Sequence, residues 1–211
     1  IDARGTKNVQ LFANLDSRAD ATIKFDPKNP DKTSHFATGV TVHDTNGAAH
    51  AVTVYFNKVD GQNWEWKAMA KGEEIEGGKP GELIQQASGK LTFNEEGKLA
   101  EQATDSSEWN FNKGSKQGQK IEFNFGKDIK AGGDGLQVTQ YGANAEAYKT
   151  IQDGYSSGSI GSLKFDDNGC LVAMYTNGEQ VTVGQVALAK FESPEDLMKT
   201  GGNKYKETRT S

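Results

Sequence analysis

Cysteine is nearly absent from this chain of 211 residues: Cys170 stands alone. A single thiol excludes an internal disulfide framework and a cysteine-based zinc site. Beside a glycine turn, Cys170 reads as a small, half-buried side chain. Proline is scarce as well, at 4 residues, and hydrophobic residues make up only 34% of the chain. Mean hydropathy is -0.72, so any core must be thin and the surface extensive. A dominant charge sign is also missing. Lys and Arg number 24 against 29 Asp and Glu, interspersed along the whole sequence for a net charge of -5. With no block of Lys or Arg to follow a phosphate backbone, no nucleic-acid partner is expected. Nor is there a basic amphipathic helix for a membrane surface. The longest apolar run, residues 181–191, is broken by Thr182, Gln185 and Lys190. Nothing approaches the roughly 20 apolar residues that span a bilayer, so no membrane insertion is expected.

Catalytic signatures are missing too. No Gly-x-Ser-x-Gly elbow, phosphate-binding loop or dinucleotide fingerprint occurs. Among the three histidines, His43 and His50 flank one turn, with Asp44 as the near third ligand. That set is too small for a convincing zinc site, and both read as exposed hairpin histidines. Asp166-Asp167-Asn168-Gly169 lacks the spaced ligands and terminal glutamate of a calcium loop, and reads as a turn. Glu73 and Glu74 stand in a glycine-rich, charged loop (residues 71–81), where solvation is poor ground for acid–base work. No catalytic, cofactor-binding or metal-ligating residue is assigned, no cofactor is implied, and the chain is not expected to be an enzyme.

What the sequence has is glycine, 25 residues of it, between segments in which apolar and polar residues alternate. That alternation has the period of strands. Val9, Leu11 and Ala13 share one face of a strand over residues 8–15, and residues 21–25 alternate around Ile23. Residues 40–43 run into Asp44-Thr45-Asn46-Gly47, and residues 51–56 return. Asn-Gly supplies the positive φ a tight hairpin needs, and residues 64–68 extend the pair to a meander. Two segments follow one pattern: Leu91-Thr92-Phe93 with Asn94-Glu95-Glu96-Gly97 and Leu99, then Leu163-Lys164-Phe165 with Asp166-Asp167-Asn168-Gly169 and Leu171. They read as the same hairpin used by two β-domains. Further half-buried strands are expected over residues 121–125, 136–141 and 181–191. Ser193, Pro194 and Asp196 resemble a helix start, ending by Gly201 after two turns at most. Trp64, Trp66 and Trp109 read as core, with sugar stacking as the alternative.

The expected fold class is all-β: a barrel- or sandwich-like domain of antiparallel hairpins plus a smaller β-rich segment with one short helix. A domain boundary is expected in the small, polar residues 143–161, giving residues 1–150 and 151–211. Ile1 and the polar close, residues 204–211, read as interior sequence of a longer protein, with no signal-peptide pattern.

The stretch Val40-Thr41-Val42-His43-Asp44-Thr45-Asn46-Gly47-Ala48-Ala49-His50, with Val54-Tyr55-Phe56-Asn57-Lys58 and Trp64, resembles a segment of the bacterial flagellar hook protein family. Tyr175-Thr176-Asn177-Gly178-Glu179 and Gly184-Gln185-Val186-Ala187-Leu188-Ala189-Lys190-Phe191 are similar to a later segment of it. The opening Asn14-Leu15-Asp16-Ser17 and the close Gly201-Gly202-Asn203 and Tyr205 also match, in the family's order. Tyr205 stands where the family often has tryptophan, and residues 71–150 match weakly beyond the hairpin over residues 91–99. The resemblance implies a structural subunit that polymerises into the curved hook, an extracellular part of the flagellum attached to the basal body that transmits torque from rod to filament. Residues 1–150 would then be the outer β-domain and residues 151–211 the C-terminal half of the adjacent inner domain. The implied partners are other hook subunits and the hook-cap, distal-rod and hook–filament junction proteins. Export would use the flagellar apparatus, and this stretch alone is expected to be monomeric in solution. The rival readings are another flagellar axial protein, such as a distal rod protein, and a carbohydrate-binding β-sandwich.

Overall fold

Alternation becomes strand pairing along most of the chain. A computed structural model describes residues 1–211 and divides them into two units, residues 1–158 and 159–211. In the first unit, β1 (Asn8–Asp16) is followed by a non-strand excursion and then β2 (Phe36–His43), β3 (Ala49–Lys58), β4 (Asn63–Lys71), β5 (Leu83–Phe93) and β6 (Leu99–Ser107). β2 to β6 form one antiparallel sheet in sequence order. The expected three-stranded meander thus runs on to five strands. Its register opposes Phe56 to Trp66 and Trp66 to Gly89.

The second sheet is built on β1. Along one edge, β7 (Glu122–Asn124) pairs with Asn8, Val9 and Gln10, and β8 (Val138–Tyr141) pairs with residues 13–16, both in parallel. Along the other edge, β9 (Glu146–Gln152) runs antiparallel to β1. The parallel pairs depart from the all-antiparallel expectation. They arise because the chain crosses to β1 by long, irregular connections rather than tight turns, and such crossovers permit parallel pairing.

Between the sheets lies the core. Trp66 packs on Phe123 and Phe125, with ring centroids 5.2 and 5.1 Å apart, and Phe125 meets Phe56 edge-on at 5.9 Å. Trp109 stacks on Phe111 and Phe123 at 5.6 and 6.1 Å. Val9, Leu11, Ala13 and Leu15 fill the β1 side and are fully buried. Large aromatic side chains therefore anchor the core, with Val, Leu, Ile and Ala filling around them, since each ring removes far more surface from water than a methyl-bearing side chain.

One turn recurs. At Asp44, Asn94 and Asp166 the side-chain Oδ1 accepts from the amides two and four residues on, at 2.8–3.0 Å. The fourth residue is glycine each time, with φ of 83°, 76° and 72° at Gly47, Gly97 and Gly169. The acidic or amide side chain substitutes for missing backbone partners, and glycine takes the left-handed position.

Several expectations are corrected. Residues 21–25 form no strand, because Asp20 and Asp26 cap the amides of Thr22 and Lys28 and bend the backbone into local turns. The one α-helix is the single turn α1 (Pro30–Thr33), where no helix was expected, with Pro30 at its start. Compactness divides the chain after Gly158, within residues 143–161, and β9 and the Arg4–Tyr155 bridge hold the preceding residues to the first unit.

The second unit comprises β10 (Ile160–Phe165), β11 (Cys170–Tyr175) and β12 (Gln180–Gln185) in one antiparallel sheet, and the hairpin β13 (Met198–Gly201) and β14 (Lys204–Lys206). β12 stops at Gln185 rather than reaching residue 191: its partner β11 begins at Cys170, and beyond it the Val186 amide donates to the Gly169 carbonyl of the turn. The short helix is a 3-10 turn, Pro194–Asp196, and Ser193 makes no side-chain cap. Positive φ at Gly201, Gly202 and Asn203 folds the following residues into a hairpin instead.

Gly89 has no side chain because Trp66 lies across it: a Cβ there would run into the Trp66 indole and the Ala103 carbonyl. Gly89→Ala is expected to destabilise the first unit by about 1–3 kcal/mol through overpacking, seen as a lower urea midpoint at unchanged m-value.

Candidate functional site

The residues weighed as chemical candidates are dispersed by the fold, and each has a structural task. His35 accepts from the Lys58 amide on Nδ1 at 3.0 Å, and its Nε2 meets the Asp20 carbonyl at 2.7 Å. That pair of partners fixes the tautomer with hydrogen on Nε2 and pins the excursion between β1 and β2 to the end of β3. His43 is half-buried; its amide donates to Thr6 Oγ1, and its carbonyl accepts from Gln119 Nε2. His50 is not exposed as expected but 6% accessible, and Asp44 is 2% accessible. The His50 ring stacks on Phe111 at 4.1 Å, a residue some sixty positions later that sequence periodicity gave no reason to place there. Its Nε2 lies 3.3 Å from Asp44 Oδ2, while Nδ1 faces Glu74 Oε2 at 3.4 Å without hydrogen-bond geometry. No group of three or more His, Cys, Asp or Glu side chains is arranged to hold a metal ion.

The loop over residues 71–81 is not wholly solvent-facing either. Gly72–Glu74 forms a 3-10 turn, and Ile75 is 4% exposed, bridging to Phe111 and closing that end of the core. Trp64, Trp66 and Trp109 are all buried, at 1%, 0% and 0% exposure, and Trp64 Nε1 donates to Gln140 Oε1. No indole face is open to a sugar ring, so the carbohydrate-binding alternative is not favoured. Cys170 is a free, half-buried thiol at the start of β11.

Beyond the buried contact of His50 with Asp44 and Glu74, the functional features left are surfaces. The meander alternates its turns between two ends of the first unit. At one end, Thr45 of the β2–β3 turn, the segment of residues 3–8 and the loop of residues 116–122 border an open groove of about 750 Å³. Arg4, Lys7, Lys116 and Lys120 line it, against one carboxylate, Glu122. At the other end, the β3–β4 turn, the Asn94–Gly97 turn, Ser17 and residues 140–142 border a second groove of about 480 Å³, with Glu95 and Glu96 as its charged side chains. The first end is held by Asp153, which accepts from the amides of Lys7 and Asn8 at 2.8 and 2.9 Å and pairs with Arg4 at 3.2 Å. Burial pushes its carboxyl up, but the Asn8 and Lys7 donors and the Arg4 charge outweigh that and hold it below the usual carboxylate value.

The match to known proteins covers this same unit. A family model described as "Flagellar basal body protein FlaE D2 domain" matches residues 14–155. The chain belongs to that family. The matched stretch lies within the two-sheet unit, starting in the last residues of β1 and ending at Tyr155. Among curated relatives, the flagellar hook protein FlgE of Helicobacter pylori is 30% identical over 183 residues, covering 83% of this chain and 24% of the relative. The Escherichia coli K12 hook protein FlgE is 28% identical over 209 residues, or 98% of this chain and 47% of that protein. The Treponema pallidum hook protein is 26% identical over 238 residues, with coverages of 100% and 50%. The chain thus spans between about a quarter and half of these relatives' lengths. The crystal structure of Helicobacter pylori flagellar hook protein FlgE2 superposes with a TM-score of 0.53 at 17% identity, over 81% of this chain and 36% of that one. That likeness bears on the fold alone. The resemblance to flagellar hook proteins and the all-β class are both borne out.

Because the folded Asp153 carboxyl lies below its unfolded value, its contribution to stability is full above the unfolded pKa of about 3.9 and is lost as pH falls through the folded value. Asp153→Asn is expected to cost about 1–2 kcal/mol at pH 7, with the gap to the parent closing below about pH 4. Urea unfolding at the two pH values checks it; an equal gap at both would sever the clamp from the carboxylate charge.

Proposed function

We propose that this chain is part of a flagellar hook subunit and acts by polymerising with copies of itself, without catalysis, in the extracellular hook attached to the basal body. In this reading residues 1–150 are the outer β-domain and residues 151–211 the C-terminal half of the adjacent inner domain. The subunit would be exported through the flagellar apparatus and would meet cap, distal-rod and junction proteins at the ends of the hook. The observation that carries the reading is the D2-family match over residues 14–155, joined to hook-protein relatives that align along nearly the whole chain.

Two physical features support it. The first unit has a filled aromatic core and shallow polar grooves at its ends, an architecture for contact rather than turnover. Polar, hydrated contacts between neighbouring subunits exchange water bridges at low cost, which suits a tube that must bend as it turns. The second unit is different. Leu163 and Phe165 on β10, with Val181 and Val183 on β12, lie exposed at 54%, 64%, 36% and 52%. Leu163 and Phe165 oppose Ala173 and Leu171, and Ala173 opposes Val181, so one face of this sheet is apolar. Ala173 at its centre is buried, but the flanking side chains are not, and a three-stranded sheet with so much of an apolar face exposed has the character of half a sandwich, which supports the half-domain assignment.

Antibody raised against this chain is expected to label the short curved segment between basal body and filament in electron micrographs. Label confined to the filament, the rod or the cell body would overturn the hook reading. Amides of β10–β12 in the isolated chain are expected to exchange with deuterium at least about tenfold faster than those of β3–β5, as an uncovered half-domain requires. Equal protection would argue that residues 159–211 need no cover.

A further inference from the structure

The two ends of the first unit differ in charge as well as in position. β1 starts beside the groove containing Lys7 and ends beside the groove containing Ser17. Nine residues of strand at about 3.3 Å each set the two grooves roughly 30 Å apart, at opposite ends of one rigid strand. At the first groove, Lys7, Lys116 and Lys120 are exposed and make no ion pair; Arg4 is already held by Asp153. At the second, Glu95 is exposed without an ion pair, Glu96 pairs with Lys98 at 2.7 Å, and Asp60 stands on the adjoining turn. One end is therefore a basic recess, and the other carries a turn along its groove with the exposed carboxylates Glu95 and Glu96 at its tip.

We propose that the Asn94–Gly97 turn of one copy seats in the basic groove of the next, Glu95 and Glu96 facing Lys7, Lys116 and Lys120. The occupant is a second copy of this chain. This rests on the hook-subunit reading and names the surfaces through which the first units meet. Because the two patches are different surfaces at opposite ends, the contact is head-to-tail and propagates as an open line rather than closing as a dimer. Its ends recognise each other through opposite charge, which sets register and suppresses head-to-head encounters. The turn is suited to insertion: Asn94 Oδ1 binds two of its amides and Gly97 closes it, so it is ordered before contact. The recess is formed by backbone of residues 3–8 and by a loop tethered where the Lys116 amide donates to Thr45 Oγ1 at 2.8 Å. Both partners therefore bring fixed shapes. The attraction is between exposed groups, so added salt weakens it over a Debye length of about 8 Å.

The test uses the polymer assembled in cells. In a Cys170→Ser background, Glu95→Cys and Lys116→Cys placed together in one subunit are expected to give, on mild oxidation, a ladder of covalent multimers, and either cysteine alone no ladder. The two sites are too far apart within a copy to bridge. A polymer that forms with no ladder from the pair overturns the proposal while leaving the hook reading intact. A cross-link confined to single subunits would place the groove against its own chain and also overturn it. No polymer from the unmodified protein would instead sink the hook reading. Should the cysteine pair disturb assembly, charge reversal decides. Lys116→Glu with Lys120→Glu, or Glu95→Lys with Glu96→Lys, is expected to reduce association by roughly tenfold. The two reversals combined should restore it. Failure of the combination to rescue either defect overturns the pairing.

Discussion

The first unit depends on β1 being hydrogen-bonded along both edges. Its backbone finds β9 on one side and, in succession, β7 and β8 on the other, so its polar groups are satisfied while Val9, Leu11, Ala13 and Leu15 point into the core. A strand buried on one face with an unpaired edge would leave amides and carbonyls away from water at a cost of about 1–3 kcal/mol each. All three partners lie more than a hundred residues further along the chain. The second sheet consequently rests on pairings of high sequence separation, which carry a large loop-closure cost. Asn14 reinforces the junction, its Oδ1 accepting from Thr139 Oγ1 at 3.0 Å and the Tyr141 amide at 2.9 Å. The same constraint brings the start and finish of the unit together at Asp153, and sets its two groove-bearing ends apart along the strand axis.

How much of this was legible depended on whether the information was local. The hairpins at Asn46-Gly47 and Glu96-Gly97 were, because period-two alternation and a glycine after an acidic or amide residue state the turn within a dozen residues. The burial of Trp64 and Trp66 on one face followed from the same alternation. The parallel pairing of β7 and β8 was not, since neither three-residue nor four-residue strand carries a mark of its partner. Ile23 alternates as well as Val9 does, yet its segment bends away because Asp20 and Asp26 offer the backbone nearer acceptors. His50 looked exposed because it flanks a turn. Only the arrival of Phe111 and Glu74 buries it, and both come from parts of the chain that match the family weakly.

The pattern of surfaces follows from the economy of the core. Three tryptophans and five phenylalanines anchor a core that buried Val, Leu, Ile and Ala side chains fill out, leaving the outer faces polar without loss of the fold. Open edges are then guarded rather than buried. On β6, Asp105 is the extra residue of a bulge opposite Ser88 and Gly89, and it projects a charge where an extended partner would otherwise add. For the proposed hook subunit, meeting its own copies in one register gives reason to block strand addition and to leave recognition to shaped, charged ends.

The repeated hairpin separates what a turn encodes from what a sheet face encodes. Around Asn94 and Asp166 the hydrogen bonds and the glycine angle agree closely, so the local chemistry folds both hairpins alike. Leu91, Phe93 and Leu99 are nonetheless buried to within 1%, whereas Leu163 and Phe165 are more than half exposed. The difference lies wholly in what packs against the face: in the first unit the sheet built on β1 covers it, and within the second no sheet does. The same apolar alternation thus makes a core in one case and leaves large apolar side chains exposed in the other.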